Sequence, residues 1–171
     1  MAKNDMKTNV MRILDGKKIK YNAYTYDGEV AISGTEVAAA LGQNPKQVFK
    51  TLVTVGKSNN HYVFVVPVEC ELNLKKAAKA VGEKSIEMIK QKELLGLTGY
   101  IHGGCSPIGM KKFFTTTIHE TAKDFESIIF SAGKIGYQVQ VSLDDLKKVI
   151  RFDRGNQCSG RRRGWGKSRR R

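Results

Sequence analysis

Proline, cysteine and long apolar segments are scarce in this chain of 171 residues. Only 3 Pro occur, so no proline-rich linker divides the chain, and its length fits one domain. The 3 Cys include no CxxC pair, which argues against a zinc site and against a disulfide scaffold. No apolar run approaches the roughly 20 residues of a membrane span, and the N-terminal residues lack the apolar stretch of a signal peptide. We therefore expect a soluble, cytoplasmic protein.

Acidic residues are also few, and they are missing from the C-terminal segment. The chain carries 30 Lys+Arg against 16 Asp+Glu, a formal net charge of +14. Eight of the basic residues lie in 154–171, so residues 1–153 keep 22 basic and 16 acidic residues, a balance compatible with a polyanionic partner. We predict a folded domain over 1–153 and a disordered basic tail over 154–171. The tail either contacts phosphates nonspecifically or is a dispensable extension, such as a cloning or frameshift scar.

Hydrophobic patterns predict a mixture of helices and strands. Helical segments are favoured at 7–14, 35–41, 74–81, 85–95 and 142–150, with Asn73 and Ser142 as N-caps. Strands are favoured at 19–26, 48–55, 61–67, 113–118, 127–131 and 136–141, the second and third forming a hairpin. Because short turns rather than helices join many neighbouring strands, we expect an α+β domain with a mixed sheet.

Lys50 interrupts an apolar strand. Alternation puts Lys50 and Leu52 on one face of that strand, and Phe49 and Thr51 on the other. Such a lysine either extends its ammonium group to solvent or lies in a pocket and meets an anion or a carbonyl. The residue pattern alone leaves both alternatives open.

A glycine-rich loop, TGYIHGGCSPIG at 98–109, is the second unusual feature. Its glycines allow unusual φ angles, and consecutive N–H groups could hold an oxyanion or a phosphate, but the loop could equally be structural. The pattern is neither a Walker loop nor a dinucleotide-binding fingerprint. Cys105 and His102 suggest a nucleophile and its base, yet no orienting acid accompanies them, so we do not expect a nucleophilic cysteine.

Three ordered segments carry a resemblance to a known family: NPKQVFKTL at 44–52, LTGYIHGGCSPIGMKK at 97–112 and SAGKIG at 131–136, with TYD upstream at 25–27. They resemble the YbaK/EbsC family of aminoacyl-tRNA deacylases, which is related to the editing insertion domain of bacterial prolyl-tRNA synthetases. The resemblance covers about residues 5–150. It implies a single domain with a mixed, partly barrel-like sheet flanked by helices.

The same resemblance implies a function and a set of site residues. The activity would be trans-editing, the cleavage of Cys from mischarged Cys-tRNA(Pro), with tRNA(Pro) and prolyl-tRNA synthetase as partners and with no metal or cofactor. Lys50 would be the catalytic lysine. The substrate pocket would be lined by Tyr26, Gly103, Gly104, Ser131 and Gln138.

Two positions depart from the pattern of some family members, which carry an acidic residue in place of Gln138 and an arginine in place of Ile135. An amide can hydrogen-bond an α-amino group but cannot neutralise it, so the choice of amino acid is less determined than the reaction class.

The resemblance further implies that the protein supplies no nucleophile, because the thiol of the substrate cysteine attacks the ester carbonyl and the tRNA leaves. Two alternative functions stay open. One is a sibling deacylase that removes alanine from tRNA(Pro), and the other is a non-catalytic RNA-binding module.

Overall fold

The structure, a computed structural model, describes residues 7–29, 31 and 33–158. Its helices are α1 Asn9–Gly16, α2 Gly34–Leu41, α3 Leu74–Val81, α4 Gln91–Thr98 and α5 Leu143–Leu146, with a short 3-10 helix at Glu120–Asp124. Its strands are β1 Asn22–Thr25, β2 Phe49–Gly56, β3 His61–Pro67, β4 Ile86–Met88, β5 Thr115–His119, β6 Ser127–Ser131, β7 Tyr137–Ser142 and β8 Asp153–Gly155. No helix in these described ranges is long and apolar enough to cross a membrane.

Short polar side chains cap the starts of α2, α3 and α5. Asn73 accepts a hydrogen bond from the N–H of Lys76 at the start of α3, and Ser142 accepts one from Asp145 at the start of α5. Both predicted N-caps are therefore confirmed. At α2 the cap is Ser33, which forms a reciprocal capping box with Glu36.

The β2–β3 hairpin lies at the centre of a five-stranded sheet with the order β4-β2-β3-β5-β8. The hairpin is antiparallel and places Lys50 opposite Val66, whereas β5 runs parallel to both β3 and β8. A second, antiparallel sheet has the order β1-β7-β6. The two sheets meet at a parallel bridge between Val48 and Ile129. The predicted single α+β domain is confirmed, although over the described residues the strands do not form a closed barrel.

Three apolar clusters hold these elements together. The largest lies between α1, the two sheets and α4, and it includes Val10, Leu14, Phe49, Val53, Leu94, Phe130 and Val139. The second packs α3 against the five-stranded sheet through Phe64, Val66, Ala77 and Cys158. The third joins α2 to β6 and to the residues just before β2 and just after β3, through Ala38, Val48, Val68 and Ile129. Burying an aliphatic or aromatic side chain of this size contributes about 1.5–3 kcal/mol. Strand β2 contributes Phe49 and Val53 to the first cluster, its Leu52 packs against the second, and Val48, just before the strand, belongs to the third.

The segment predicted as one helical stretch at 85–95 is instead a strand followed by a helix. Ile86–Met88 pairs antiparallel with the end of β2, where Thr54 lies opposite Met88. Helix α4 begins only at Gln91. The strand is set by its pairing with β2, a tertiary contact that local helical spacing does not reveal.

The predicted domain boundary at residue 153 also differs from the structure. β8 pairs with β5 through Arg154 and Gly155, and Cys158 forms an antiparallel bridge with Leu72. The side chain of Gln157 is fully buried, and the backbone carbonyl of Gln157 accepts a hydrogen bond from the backbone N–H of Asn73 at 2.7 Å. Residues 154–158 therefore belong to the domain. The charge distribution could not show this, because the pairing of these residues uses backbone groups, which every residue type carries. The rest of the predicted tail, residues 159–171, lies outside the described residues.

Candidate active site

A cavity of about 500 Å³ lies beside the first half of β2, between the two sheets and the starts of α2 and α4. Strand β2 contributes an unbroken run, Phe49–Val53. The start of α2 contributes Ser33, Gly34, Thr35 and Val37, and the β4–α4 region contributes Met88, Ile89, Gln91 and Leu94. The cavity also receives Val48, Val68, Tyr26, His102, Gly103, Cys105, Ser131 and Gln138.

The structure brings most of the predicted site residues together around this cavity. Tyr26, Lys50, Gly103, Ser131 and Gln138 all line it, although they come from distant parts of the chain.

Gly104 is the exception, since it is not among the residues that line the cavity. A Cβ atom at this position would lie 3.1 Å from the backbone nitrogen of Ile135 and 3.4 Å from the backbone of Lys134. The absence of a side chain therefore permits close packing of two loops. This placement does not test whether Gly104 binds substrate, so its role stays a prediction.

Lys50 is half-buried in β2 and lines the cavity. Among the described residues that line the cavity, Lys50 is the only Lys, Arg, Asp or Glu. None of the salt bridges in the described part of the chain involves Lys50. An ammonium group with no carboxylate beside it, in a partly enclosed site, attracts a negatively charged or strongly polarised group of a ligand.

The first turn of α2 also borders the cavity. Ser33, Gly34 and Thr35 all line it, and they form the amino end of an eight-residue helix. N–H groups at a helix start lack partners within the helix and carry a partial positive charge. Gly34 also approaches Val68 closely, since a Cβ there would lie 2.4 Å from the Val68 side chain. Sequence reasoning identified α2 but did not connect it to the site.

Gln138 is nearly buried, with 5% of its surface exposed, and its side-chain oxygen accepts a hydrogen bond from Nε2 of Gln43 at 2.8 Å. Gln43 itself does not line the cavity. Its hydrogen bond therefore fixes the Gln138 amide from the side away from the cavity. Sequence reasoning missed Gln43, and no local signal could have found it, since the two residues are 95 positions apart.

Cys105 lies in the cavity wall but is a poor nucleophile. Burial raises the pKa of its thiol to about 12, and the hydrogen bond to Thr98 only partly opposes this shift. Because the reactive species is the thiolate, a thiol with this pKa is almost entirely inactive at neutral pH. This environment agrees with the expectation that Cys105 is not the nucleophile.

The glycine-rich loop is a curved wall of the site. Gly103 has a φ of +90°, a conformation that L side chains rarely adopt, and it lines the cavity. Gly109 has a φ of +82°, and a Cβ there would lie 2.7 Å from the hydroxyl of Tyr100. Within the described ranges, no group of three His, Cys, Asp or Glu side chains could hold a metal ion.

Comparison with known proteins agrees with this arrangement. Residues 30–149, which include most of the cavity lining, match the aminoacyl-tRNA editing domain family. The chain belongs to this family. The resemblance found in the sequence is therefore confirmed.

This editing-domain protein is 47% identical over 141 residues to EbsC of Enterococcus faecalis, which is named as a candidate Cys-tRNA(Pro)/Cys-tRNA(Cys) deacylase; the match covers 82% of this chain and 86% of EbsC. A solved candidate trans-editing enzyme for prolyl-tRNA synthetase has the same fold, with a TM-score of 0.76, 21% identity, and coverage of 91% of this chain and all of that one. The hypothetical protein APE2540 is similar, with a TM-score of 0.75, 18% identity, and coverage of 85% and 98%.

Proposed function

We propose that this protein is a trans-editing deacylase that removes Cys from mischarged Cys-tRNA(Pro). The observation that carries the proposal is the cavity beside β2, whose described lining includes Lys50 and the first residues of α2 but no carboxylate. The 47% identity to EbsC supports Cys-tRNA as the substrate. The partners would be tRNA(Pro) and prolyl-tRNA synthetase, in the cytoplasm.

The chemical task of the site is to stabilise charge on an ester carbonyl. When a nucleophile attacks an ester, the carbonyl oxygen becomes negative, and preorganised donors aimed at that oxygen lower the barrier. Lys50 would supply a positive charge, and Gly34 and Thr35 would supply N–H groups from the start of α2. Tyr26, Gly103, Ser131 and Gln138 would position the aminoacyl group, with the Gln138 amide held in place by Gln43.

The nucleophile would come from the substrate. Cys105 is the only thiol among the described residues that line the cavity, and its raised pKa makes it unreactive. A cysteinyl ester carries its own thiol within reach of its carbonyl, and holding it in a reactive conformation accelerates the intramolecular step. The sulfur forms a bond to the carbonyl carbon, the bond to the ribose oxygen breaks, and the proton of the thiol ends on that oxygen. The resulting thiolactone is then hydrolysed by water.

Deacylation assays distinguish this proposal from its two rivals. Cys-tRNA(Pro) and Ala-tRNA(Pro), each incubated with catalytic amounts of the full chain, should give many turnovers on the cysteinyl ester and few on the alanyl ester. Faster cleavage of the alanyl ester would favour the sibling deacylase. Tight binding of both tRNAs without turnover would favour an RNA-binding module.

A further inference from the structure

Two of the three cysteines meet where the C-terminal residues of the domain join the five-stranded sheet. Cys158 is buried in the cluster that packs α3 on this sheet, and Cys70, in the loop between β3 and α3, packs against the same cluster. The side chains of Cys70 and Cys158 share a hydrogen bond. The third cysteine, Cys105, belongs to a different cluster. The fold therefore assembles a thiol pair from two segments that are far apart in the sequence.

Contacts other than those of the thiols hold these two segments together. Leu72 and Cys158 form an antiparallel bridge, and the backbone N–H of Asn73 donates to the backbone carbonyl of Gln157 at 2.7 Å. The ammonium group of Lys76 donates to the backbone carbonyl of Cys158 at 3.2 Å. The backbone at Cys158 is therefore fixed beside the β3–α3 loop, and the meeting of the thiols does not depend on a covalent bond between them.

The two thiols differ in their access to solvent. Cys158 has only 4% of its surface exposed, whereas Cys70 is half-buried, so a small oxidant in solution meets Cys70 first. The hydrogen bond with Cys70 and, after it, burial raise the pKa of the Cys158 thiol, which therefore keeps its proton. A protonated thiol can donate to the sulfur beside it, and a thiolate that accepts such a bond is stabilised. Cys70 is thus suited to react first and Cys158 to react second.

The surroundings of the pair are electropositive. Leu52, on the Lys50 face of β2, and Val66, opposite Lys50 in the hairpin, both pack in the cluster of Cys158. The positive charges of Lys50 and Lys76 are near enough to favour the ionised form of the Cys158 thiol. Reactive thiols occur in electropositive, partly exposed surroundings of this kind. Neither cysteine lines the cavity, so the pair is separate from the candidate active site.

We propose that Cys70 and Cys158 form a reversible oxidation site, in which hydrogen peroxide converts the two thiols into a disulfide. The Cys70 sulfur attacks one oxygen of the peroxide, the O–O bond breaks, and Cys70 becomes a sulfenic acid as one water molecule leaves. The Cys158 sulfur then attacks the Cys70 sulfur, the S–S bond forms and the S–O bond breaks. The proton of the Cys158 thiol leaves in a second water molecule. The two thiols lose two electrons in all, and the peroxide accepts both.

The disulfide would fasten the C-terminal end of the domain to the loop after β3. The two sulfur atoms, already hydrogen-bonded, approach to about 2.05 Å in a disulfide. Residues 70 and 71 belong to no helix or strand, so their backbone can adjust to this approach. A cross-link that closes a long loop restricts the unfolded chain and so stabilises the folded one. Residues 154–158 could then no longer separate from the sheet.

Peptide mapping of the full chain tests the site. The reduced protein is treated with a small molar excess of hydrogen peroxide, its remaining thiols are alkylated in denaturant, and it is digested with trypsin without a reductant. The tryptic peptide 58–75, which contains Cys70, should be linked to the peptide 155–161, which contains Cys158. The intact chain should lose the mass of two hydrogen atoms, and dithiothreitol should restore both thiols. The peptide 93–111, which contains Cys105, should stay unlinked.

Thermal unfolding and three variants test the roles of the two thiols. The oxidised wild type should melt about 5 °C higher than the reduced wild type, and dithiothreitol should remove the difference. Cys70→Ser should give neither the linked peptides nor the rise in melting temperature, whereas Cys105→Ala, the matched control, should give both. Cys158→Ala should stop the reaction at the sulfenic acid of Cys70, which dimedone traps and mass spectrometry detects.

Several results would overturn this site. One is oxidation of Cys70 to a sulfinic acid while Cys158 stays a thiol, and another is a disulfide that includes Cys105 or joins two chains. Recovery of both thiols unchanged after peroxide treatment would overturn it as well. None of these measurements uses a tRNA, so their outcome and that of the deacylation assays are independent.

Discussion

At the scale of single residues, Lys50 determines what the cavity can do. Its position in an apolar strand identified it as unusual, but the residue pattern could not decide between a pocket and solvent. The structure places it in the cavity wall, half-buried and with no salt bridge among the described residues. The local pattern could not show that the start of α2 lines the same cavity as Lys50, or that Gln43 hydrogen-bonds Gln138, because both arrangements depend on the packing of distant segments.

Lys50→Ala should lower the rate of deacylation by at least about 100-fold, the scale expected for the loss of one preorganised electrostatic group. The fold should survive, because the substitution removes a charge that lacks a salt bridge. Lys57→Ala is the control, since Lys57 is an exposed lysine just beyond the other end of β2. Single-turnover kinetics and thermal unfolding check both variants, and near-normal activity in folded Lys50→Ala would remove this residue from the site.

Cys105→Ala should retain most of the activity, because the thiol has a pKa of about 12 and is not ionised at neutral pH. For the same reason, Cys105 in the folded protein should resist alkylation by iodoacetamide at pH 8, which mass spectrometry of the labelled chain would show. Loss of activity in a variant with an unchanged melting temperature would indicate that the thiol takes part in the reaction.

The same thiol makes stability depend on pH in the alkaline range. The pKa of Cys105 is about 12 when folded and 9.0 ordinarily, so the unfolded chain releases this proton first. The thiol contributes its full share of stability below pH 9, and that share is lost as pH rises from 9 towards 12. The loss should be smaller in Cys105→Ala.

At the scale of elements, the sequence predicts the helices and strands whose formation depends on neighbouring residues in the chain. The hairpin follows from two β-branched runs separated by a short polar turn, and α3 follows from the Asn73 cap and the glycine after Val81. β4 and β8 are three-residue strands whose identity comes only from pairing with β2 and β5. No local periodicity is long enough to indicate such strands.

Truncation tests the corrected boundary. A chain ending at Cys158 should melt at the temperature of the full chain. A chain ending at Asp153 should melt at least about 5 °C lower, because it loses the pairing of β8 and exposes the surface under Cys158. Differential scanning calorimetry compares the three chains. Equal melting temperatures would show that residues 154–158 add no stability and that the domain ends at residue 153.

At the scale of the whole molecule, we expect the basic C-terminal residues and the cavity to contact different parts of a tRNA. Residues 159–171 hold seven of the 30 basic residues and no acid, so they can contribute phosphate contacts without sequence preference. Their removal should weaken tRNA affinity mainly at low salt and leave turnover at saturating tRNA unchanged. The cavity beside β2 would instead select the acylated end and carry out the reaction.

The central claim is that the substrate supplies its own nucleophile, and one comparison tests it most directly. Cys-tRNA(Pro) and Ser-tRNA(Pro) differ in one atom, sulfur against oxygen, so both esters fit the cavity almost equally well. Single-turnover rates with saturating enzyme compare the chemical step alone. The account predicts that the cysteinyl ester is cleaved at least about 100-fold faster, because at neutral pH a thiol yields far more of its reactive anion than an alcohol does. Equal rates on the two esters would contradict it and would point to a water molecule activated beside Lys50.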